Sequence, residues 1–304
     1  MVACYKDGQA IPIMHERLTK VFAQMGCRYE IIFVNDGSPD NSEHVLRDIA
    51  KKDPRVTAVI HSRNFSSQNA FMSGMTIATG DAVILLDGDL QDPPEIIASF
   101  AEKWAEGFDV VYGIRVKRDA SAFLRVAYKL FYGIFRRLSY VQIPQDAGDF
   151  SLIDRKIVNI LIAMPEHDMF IRGLRAWVGF KQTGVPYHRP ERMFGRTTNN
   201  LPKNIRWAKK AIFSFSFEPL EWVFYFAMIV SVVTFFFIIF YVATYMLNPN
   251  QPRGITTIIV FILFFGSVQL ISISIIGEYL GRIFDEVKRR PKFIVKEIIN
   301  KPKT

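Results

Sequence analysis

Cysteine is scarce in this chain: Cys4 and Cys27 are the only two in 304 residues. Two are too few for a disulfide framework, and a reducing compartment would keep both as thiols. No secretory signal is expected, because Lys6, Asp7, His15, Glu16 and Arg17 interrupt any apolar stretch near the start. The five histidines lack metal-ligand spacing, and neither a Gly-x-Ser-x-Gly elbow nor a phosphate-cradling glycine-rich loop occurs. No basic motif interleaved with aromatics is present, so nucleic acid is not an expected partner despite a net charge of +9. Repeats and low-complexity tracts are absent as well. Charge itself is missing from two runs, Trp222–Leu247 and Gly254–Gly277. Each is about 24 residues, enough for a helix to cross a hydrocarbon core of roughly 30 Å. Their polar residues, among them Ser231, Thr234, Thr256, Ser272 and Gln269, are few and uncharged. Two transmembrane helices joined by residues 248–253 fit this pattern better than the buried hairpin of a soluble protein.

Basic residues crowd the flanks of these runs. Segment 196–221 carries Arg196, Lys203, Arg206, Lys209 and Lys210, and segment 278–304 carries Arg282, Lys288, Arg289, Arg290, Lys292, Lys296, Lys301 and Lys303. The connecting loop has only Arg253. Because lysine and arginine stay on the cytoplasmic side, both flanks and both termini are expected there, with the loop outside. The flanks would also hold anionic headgroups. The expected protein is a multi-pass one of the cell membrane. It would comprise a cytoplasmic domain over 1–195, a basic juxtamembrane segment over 196–221, helices over 222–247 and 254–277, and a basic cytoplasmic tail over 278–304. Gly266, Ser267 and Ser274 would permit helix association and hence a homo-oligomer. At the other end, Val2-Ala-Cys-Tyr5 reads as the end of a strand with almost nothing before it. The expectation is that the chain begins a few residues late and that this strand is weak.

What the first half does contain is an alternation of strand and helix signals. Tyr29–Asn35 reads as a strand followed by the turn Asp36-Gly-Ser-Pro39, and Asp40 or Asn41 then caps a helix to about Lys52. Val56–Ile60 is a second strand, and Ser66–Thr79 a helix ended by Gly80. Ala82–Leu86 is the third strand, Pro93–Glu106 a helix and Asp109–Tyr112 the fourth strand. Intervals of about 25 residues predict a mostly parallel, doubly wound α/β sheet. Residues 119–139 show a basic, aromatic, amphipathic helical pattern, for which packing on the sheet is favoured over contact with a membrane surface.

The third strand ends abruptly in Asp87-Gly-Asp89-Leu-Gln91-Asp92-Pro93-Pro94. In open α/β sheets, ligands bind beyond the C-terminal ends of the strands. Two carboxylates separated by one glycine can face one hard cation, Gln91 adding a neutral oxygen, and the expected guest is a divalent metal carrying a diphosphate. The alternative is a solvated acidic turn with Asp92 as N-cap and Pro93 as the first helical residue. Asp36 lies on the same edge, either bonding to the amide of Ser38 or accepting from the ring N–H of a uracil or guanine. Asp146 and Asp149, in Gln145-Asp-Ala-Gly-Asp-Phe150, supply a general base or simply end a strand. Arg189, Arg192 and Arg196 lie on a glycine-containing loop just before the membrane, either solvated or pairing with phosphate oxygens.

Taken together, these motifs resemble a known family. Phe33-Val-Asn-Asp36-Gly-Ser-Pro-Asp-Asn-Ser42 resembles the nucleotide-binding turn of inverting family 2 glycosyltransferases. Asp87-Gly-Asp-Leu-Gln-Asp-Pro-Pro94 is similar to the Asp-x-Asp block of their polyisoprenyl-phosphate branch, which includes bactoprenol glucosyltransferases and dolichol-phosphate mannose synthase. Gly148-Asp-Phe-Ser151, Phe170-Ile-Arg-Gly-Leu174, Ser214-Phe-Ser216 with Pro219-Leu220, and Gly277-Glu-Tyr-Leu-Gly-Arg282 extend the likeness along nearly the whole chain.

The resemblance implies an A-type, Rossmann-like nucleotide-sugar-binding catalytic domain over 1–195, ahead of the membrane hairpin. It implies that Asp36 contacts the base, with Tyr5, Asp7 and Asp87 also at the nucleotide, Asp87 serving the ribose or the metal. Asp89 and Gln91 would hold Mg²⁺ or Mn²⁺, which leaves Asp92 as a helix cap. Asp149 would lie nearest the acceptor phosphate, and Arg192 at the basic position of a loop closing over the phosphates. The implied reaction is inverting transfer of a hexose, glucose from UDP-glucose being the best reading, to undecaprenyl or another polyprenyl phosphate at the cytoplasmic face. Two motifs depart from the family. Ala3-Cys-Tyr-Lys-Asp7 replaces Pro-x-Tyr-Asn-Glu, so Asp7 stands in for the acid; Thr197-Thr-Asn-Asn200 replaces Ser/Thr-Lys-Tyr, leaving Arg196 or Lys203 to supply the missing lysine's charge. A processive polysaccharide synthase is disfavoured, because Arg175-Ala-Trp177 only brushes against the Gln-x-x-Arg-Trp motif of such enzymes. An inactive membrane scaffold is disfavoured by the intact Asp87, Asp89 and Gln91.

Overall fold

The computed structural model describes residues 1–116, 147–167, 169–191, 193–194, 216–247 and 254–301. It divides into two compact units, Met1–Ala211 with Arg290–Thr304, and Ile212–Arg289. The amphipathic pattern at 119–139 and Asp146 lie outside the described residues.

The heart of the first unit is parallel. β1 (Val2–Cys4), β2 (Ile31–Asn35), β3 (Val56–His61) and β4 (Ala82–Asp87) pair in the spatial order β4-β1-β2-β3. Every residue of β2 and β3 is buried. Helices on both faces demand continuous apolar strands, which is why these runs do not alternate. The crossovers are α1 (Ala10–Met25), α2 (Ser42–Lys52) and α3 (Ser67–Ile77). In α1 the buried residues Ala10, Ile11, Met14, Leu18 and Val21 recur at helical spacing, a signal present in the sequence that the strand-led reading passed over. Although only three residues long, β1 is fully buried and pairs on both sides. Its short length has not kept it from the middle of the sheet.

Beyond β4 the alternation breaks. A 3₁₀ turn (Pro94–Ile96) leads into α4 (Ile97–Ala105) and then β5 (Val110–Arg115). β5 does not lie beside β4. β6 (Ala147–Asp154) inserts between them, antiparallel to both, and β7 (Gln182–Tyr187) adds parallel to β5. α5 (Arg155–Ala163) and α6 (Ile171–Trp177) lie between β6 and β7 in the chain. The far edge is closed by β8 (Val295–Ile299), antiparallel to β3. The described residues therefore form one eight-stranded mixed sheet with a parallel centre. Residues 295–299, read from sequence as part of a tail, are a strand of this sheet.

Strand direction decides where side chains gather. β1 to β4, β5 and β7 all end at one edge, and β6 starts there. Residues from seven strands, separated in sequence by up to about 185 positions between Cys4 and Arg189, converge on that edge.

The second unit holds α7 (Glu218–Leu247) and α8 (Ile255–Val287), of 30 and 33 residues. At 1.5 Å per residue each is roughly 45–50 Å long. Their spans Glu218–Thr244 and Ile258–Val287 are long and apolar enough to cross a membrane, and none of either apolar window is buried. The core hairpin of a soluble protein would bury these residues. Three hydroxyls within them donate to carbonyls one turn back, Ser231 to Ala227, Thr244 to Phe240 and Ser267 to Leu263 at 2.8–3.0 Å, so each is satisfied within its own helix. α8 runs ten residues past Gly277, so Glu278 and Arg282 are helical and pair at 4.0 Å.

Candidate active site

One half of the edge is built from the loops after β1, β2 and β3. The first two lock together through Asp40, which accepts from Gly8 N at 3.1 Å, Ser42 N at 3.1 Å and Ser38 Oγ at 2.5 Å. Lys6 N donates to Ser38 Oγ at 2.7 Å. Gly37 has φ +60, and a Cβ there would stand 2.3 Å from the backbone of Arg63, so only glycine lets the β2 and β3 loops approach. Asp36 is 2% exposed at the end of β2. Its Oδ1 accepts from His61 Nδ1 at 2.9 Å and from Phe65 N at 2.8 Å. The amide of Ser38 bonds instead to Asn35 Oδ1 at 3.0 Å. The reading of Asp36 as the turn's own acceptor is therefore wrong: its neighbour does that work and Asp36 is left for another role. Tyr5 is exposed, with Lys6 Nζ 5.5 Å from its ring centre. Asp7 is buried and accepts from Tyr5 N at 2.9 Å.

The other half is acidic. Gly88 N donates to Ala3 O at 2.8 Å, and a Cβ on Gly88 would meet Asp7 Oδ2 at 3.0 Å. The close approach at Gly88 thus brings Asp7 against the Asp87–Asp92 turn, and a side chain there would press on both. β4 and β6 pair Leu85 with Ser151; continuing that register by two residues sets Asp149 opposite Asp87. Both Asp149 oxygens are engaged, Oδ1 by Arg172 Nε and Oδ2 by Gln68 Nε2, each at 3.1 Å. Leu90 turns the chain with φ +61 while its side chain is 1% exposed, and Asp89 Oδ1 accepts Gln91 N at 3.1 Å. The end of β7 docks on this turn. Arg189 Nη2 donates to Gln91 Oε1 at 2.8 Å and lies 3.9 Å from Asp89 Oδ2, while Gln91 Nε2 donates to Pro190 O at 3.3 Å.

Asp92 is not a helix cap. It is 1% exposed and accepts from the Tyr187 hydroxyl at 2.6 Å, while the residue preceding the 3₁₀ turn is Pro93. Arg115 Nε donates to the same hydroxyl at 3.3 Å. β7 brings the phenol in from 95 positions away, a partner that no local capping pattern reveals.

Crowding sets the electrostatics. Burial, then Asp92, Asp149 and Asp89, pushes the Asp87 carboxyl well above the usual carboxylate range, with Arg189 opposing. Burial raises Asp92 as well, against Arg115 and the Tyr187 bond. Burial opposes the charge of Arg115, yet Asp92, Tyr187 and Asp87 hold its guanidinium above the ordinary arginine value. Behind Asp149, burial lowers Arg175 to about 10. Asp87, Asp89, Asp92 and Asp149 crowd together, with Asp87 and Asp92 both held toward their protonated forms, an environment that a further cation would relieve. Among the described residues no three carboxylate, histidine or cysteine side chains converge tightly enough to hold a metal ion unaided. Asp89 and Gln91 nevertheless both present oxygens to one cation, the Arg189 guanidinium, and such oxygen donors are of the kind a hard divalent ion takes.

The edge thus assembles Tyr5, Asp7, Asp36, Asp87, Asp89, Gln91, Asp149 and Arg189. Arg192, Arg196 and Lys203 lie outside the described residues. Sequence reasoning missed His61, Gln68, Arg115, Arg172 and Tyr187. Only Arg172 had a signal, inside Phe170-Ile-Arg-Gly-Leu174.

Residues 1–161 match the family described as glycosyl transferase family 2. An uncharacterised glycosyltransferase of Bacillus subtilis, YkcC, is 39% identical over 298 residues, which cover 98% of this chain and 92% of that one. A prophage bactoprenol glucosyl transferase homologue of Escherichia coli is 36% identical over 299 residues, 98% of each chain. Among solved structures, a mannosyltransferase from Pyrobaculum calidifontis in complex with GDP-Man and Mn²⁺ is similar at 19% identity, covering 61% of this chain and 53% of that chain with a TM-score of 0.42.

Proposed function

Because the chain belongs to glycosyl transferase family 2, we propose that it transfers a hexose, glucose from UDP-glucose, to a polyprenyl phosphate with inversion. The observation that carries this reading is the end-to-end match, hairpin included, to a protein named as a bactoprenol glucosyl transferase homologue. A soluble acceptor would give an acidic sugar-nucleotide edge no use for two apolar helices of 30 and 33 residues.

In this reading Asp36 meets the base, Tyr5 and Asp7 flank the nucleotide, and Asp87 serves the ribose. Asp89 and Gln91 hold Mg²⁺ or Mn²⁺, whose charge would stabilise the leaving diphosphate. Arg189 then gives up Gln91 and turns to a phosphate oxygen, with Arg192, Arg196 and Lys203 as further phosphate partners. Asp149, fixed by Arg172 and Gln68, orients the acceptor side. The acceptor phosphate is already anionic at neutral pH, so it asks little of a general base, and one in-line displacement inverts the anomeric centre. Residues 1–211 and 290–304 form one unit, so both flanks of the hairpin attach to the same body. A single body cannot lie on both sides of a bilayer, which supports a two-crossing hairpin with both basic flanks cytoplasmic.

The test is transfer of radiolabel to undecaprenyl phosphate from a panel of UDP-glucose, UDP-galactose, UDP-N-acetylglucosamine and GDP-mannose. UDP-glucose should label the lipid, and chelation should abolish labelling until Mg²⁺ or Mn²⁺ is restored. Asp89→Asn should lower the rate at least about 100-fold with the melting temperature retained. Near-normal transfer by this variant would sink the metal assignment.

A further inference from the structure

We propose that His61 sets base selectivity: it fixes Asp36 so that the site takes a nucleoside diphosphate whose base carries a ring N–H, uracil or guanine, and refuses cytosine and adenine. This rests on the reading that Asp36 meets the base.

The histidine is fully enclosed and the aspartate keeps only a sliver of surface, with side chains 0% and 3% exposed. A carboxylate only accepts, so His61 Nδ1 is the donor, and Phe65 N, a backbone amide, can only donate as well. Both bonds end on Oδ1, at 2.9 and 2.8 Å. Among the described residues both hydrogen bonds to this carboxylate fall on Oδ1 and none on Oδ2. The carboxylate therefore shows a ligand one face, and that face is an acceptor. The imidazole has no freedom to swing away. Phe293 stacks on it at 5.6 Å and 10°, Phe65 meets it edge-on at 5.7 Å and 85°, and Ser62 N bonds to Ile294 O at 3.0 Å. Uracil and guanine offer an N–H at the ring position where cytosine and adenine carry a lone pair. A fixed acceptor bonds the first pair and repels the second.

The same geometry dictates what asparagine would do. In Asp36→Asn the two inward donors still require an acceptor, so the amide oxygen stays on them and the amide nitrogen turns outward. The outward face becomes a donor, which suits the ring nitrogen of cytosine. Selectivity should reverse without any change in side-chain size.

The experiment measures binding of UDP, GDP, CDP and ADP to the full chain in nanodiscs at fixed Mg²⁺, with no sugar or lipid present. The wild-type protein should bind UDP or GDP at least tenfold tighter than CDP and ADP. Asp36→Asn should bind CDP at least as tightly as UDP. His61→Phe keeps the stacked ring but removes the Nδ1–H, and the UDP-to-CDP preference should fall tenfold or more. The proposal is overturned if the asparagine variant still prefers UDP or weakens all four alike, or if His61→Phe leaves the preference unchanged. Because no acceptor is used, a failed lipid-transfer assay leaves this result standing, and the reverse also holds.

Discussion

Ser66 enters α3 with φ +80 and ψ 156, and its side chain makes no cap bond. That backbone region is essentially reserved for glycine and costs other residues about 1–3 kcal/mol. Ser66→Gly should therefore stabilise the first unit by about 1 kcal/mol after the entropy cost of glycine, read as a shift in the urea midpoint at unchanged slope. Leu90 at φ +61 differs, because its side chain is 1% exposed and its burial offsets the strain. Backbone strain thus flanks the site on two sides, at the start of α3 and in the acidic turn. At this scale the sequence revealed what lies within short motifs: Asp36 follows β2, Asp87 ends β4, Asp89 lies two residues beyond it, and Asp149 sits near the start of β6. It hid His61, Arg115 and Tyr187, whose partners come from other strands 25 to 95 positions away. An isolated histidine or tyrosine in an apolar run carries no mark of the acid it will meet.

α2 ends at Asp53, on the side of the sheet away from the ligand edge, and here one carboxylate ties three elements together. Asp53 accepts from Arg55 N and Nε at the start of β3 at 3.0 and 2.9 Å, and from His15 Nε2 of α1 at 3.1 Å. The Arg55 bonds, foremost, lower its carboxyl from 3.8 to about 2. A depressed folded value means stability that is present above the unfolded pKa and lost as pH falls through the folded one. With Arg55 half exposed to solvent, the contribution is about 1–2 kcal/mol at pH 7. Asp53→Asn should be less stable by that amount at pH 7, the gap should roughly halve by pH 3, and it should close near pH 2; urea titrations of both proteins at the three pH values check this. Equal gaps throughout would refute it. Among elements, the early strands and α2 to α4 were readable because local pattern and packing agree there. β6 was not, since Ala147–Asp154 begins as an acidic glycine turn and becomes a strand only by pairing between β4 and β5. β8 hid within a basic segment for the same reason, its pairing partner lying about 240 positions earlier.

For the whole molecule, the feature that matters is that the chain leaves its first unit for two apolar helices and then returns to it. Single cysteines placed in the 248–253 loop should react with an impermeant maleimide from outside intact cells, and cysteines at 301–304 only after permeabilisation. Labelling of both sets from outside would overturn the proposed orientation. The return also imposes an order of manufacture. Ala58 pairs with Ile299, 241 residues later in synthesis, which at 5–20 residues per second is roughly 12–48 s on the ribosome. Throughout that interval β3 has an open edge, and His61 waits for the ring of Phe293. Both apolar helices are made in the meantime. The sheet is therefore completed last, after both apolar helices have been synthesised.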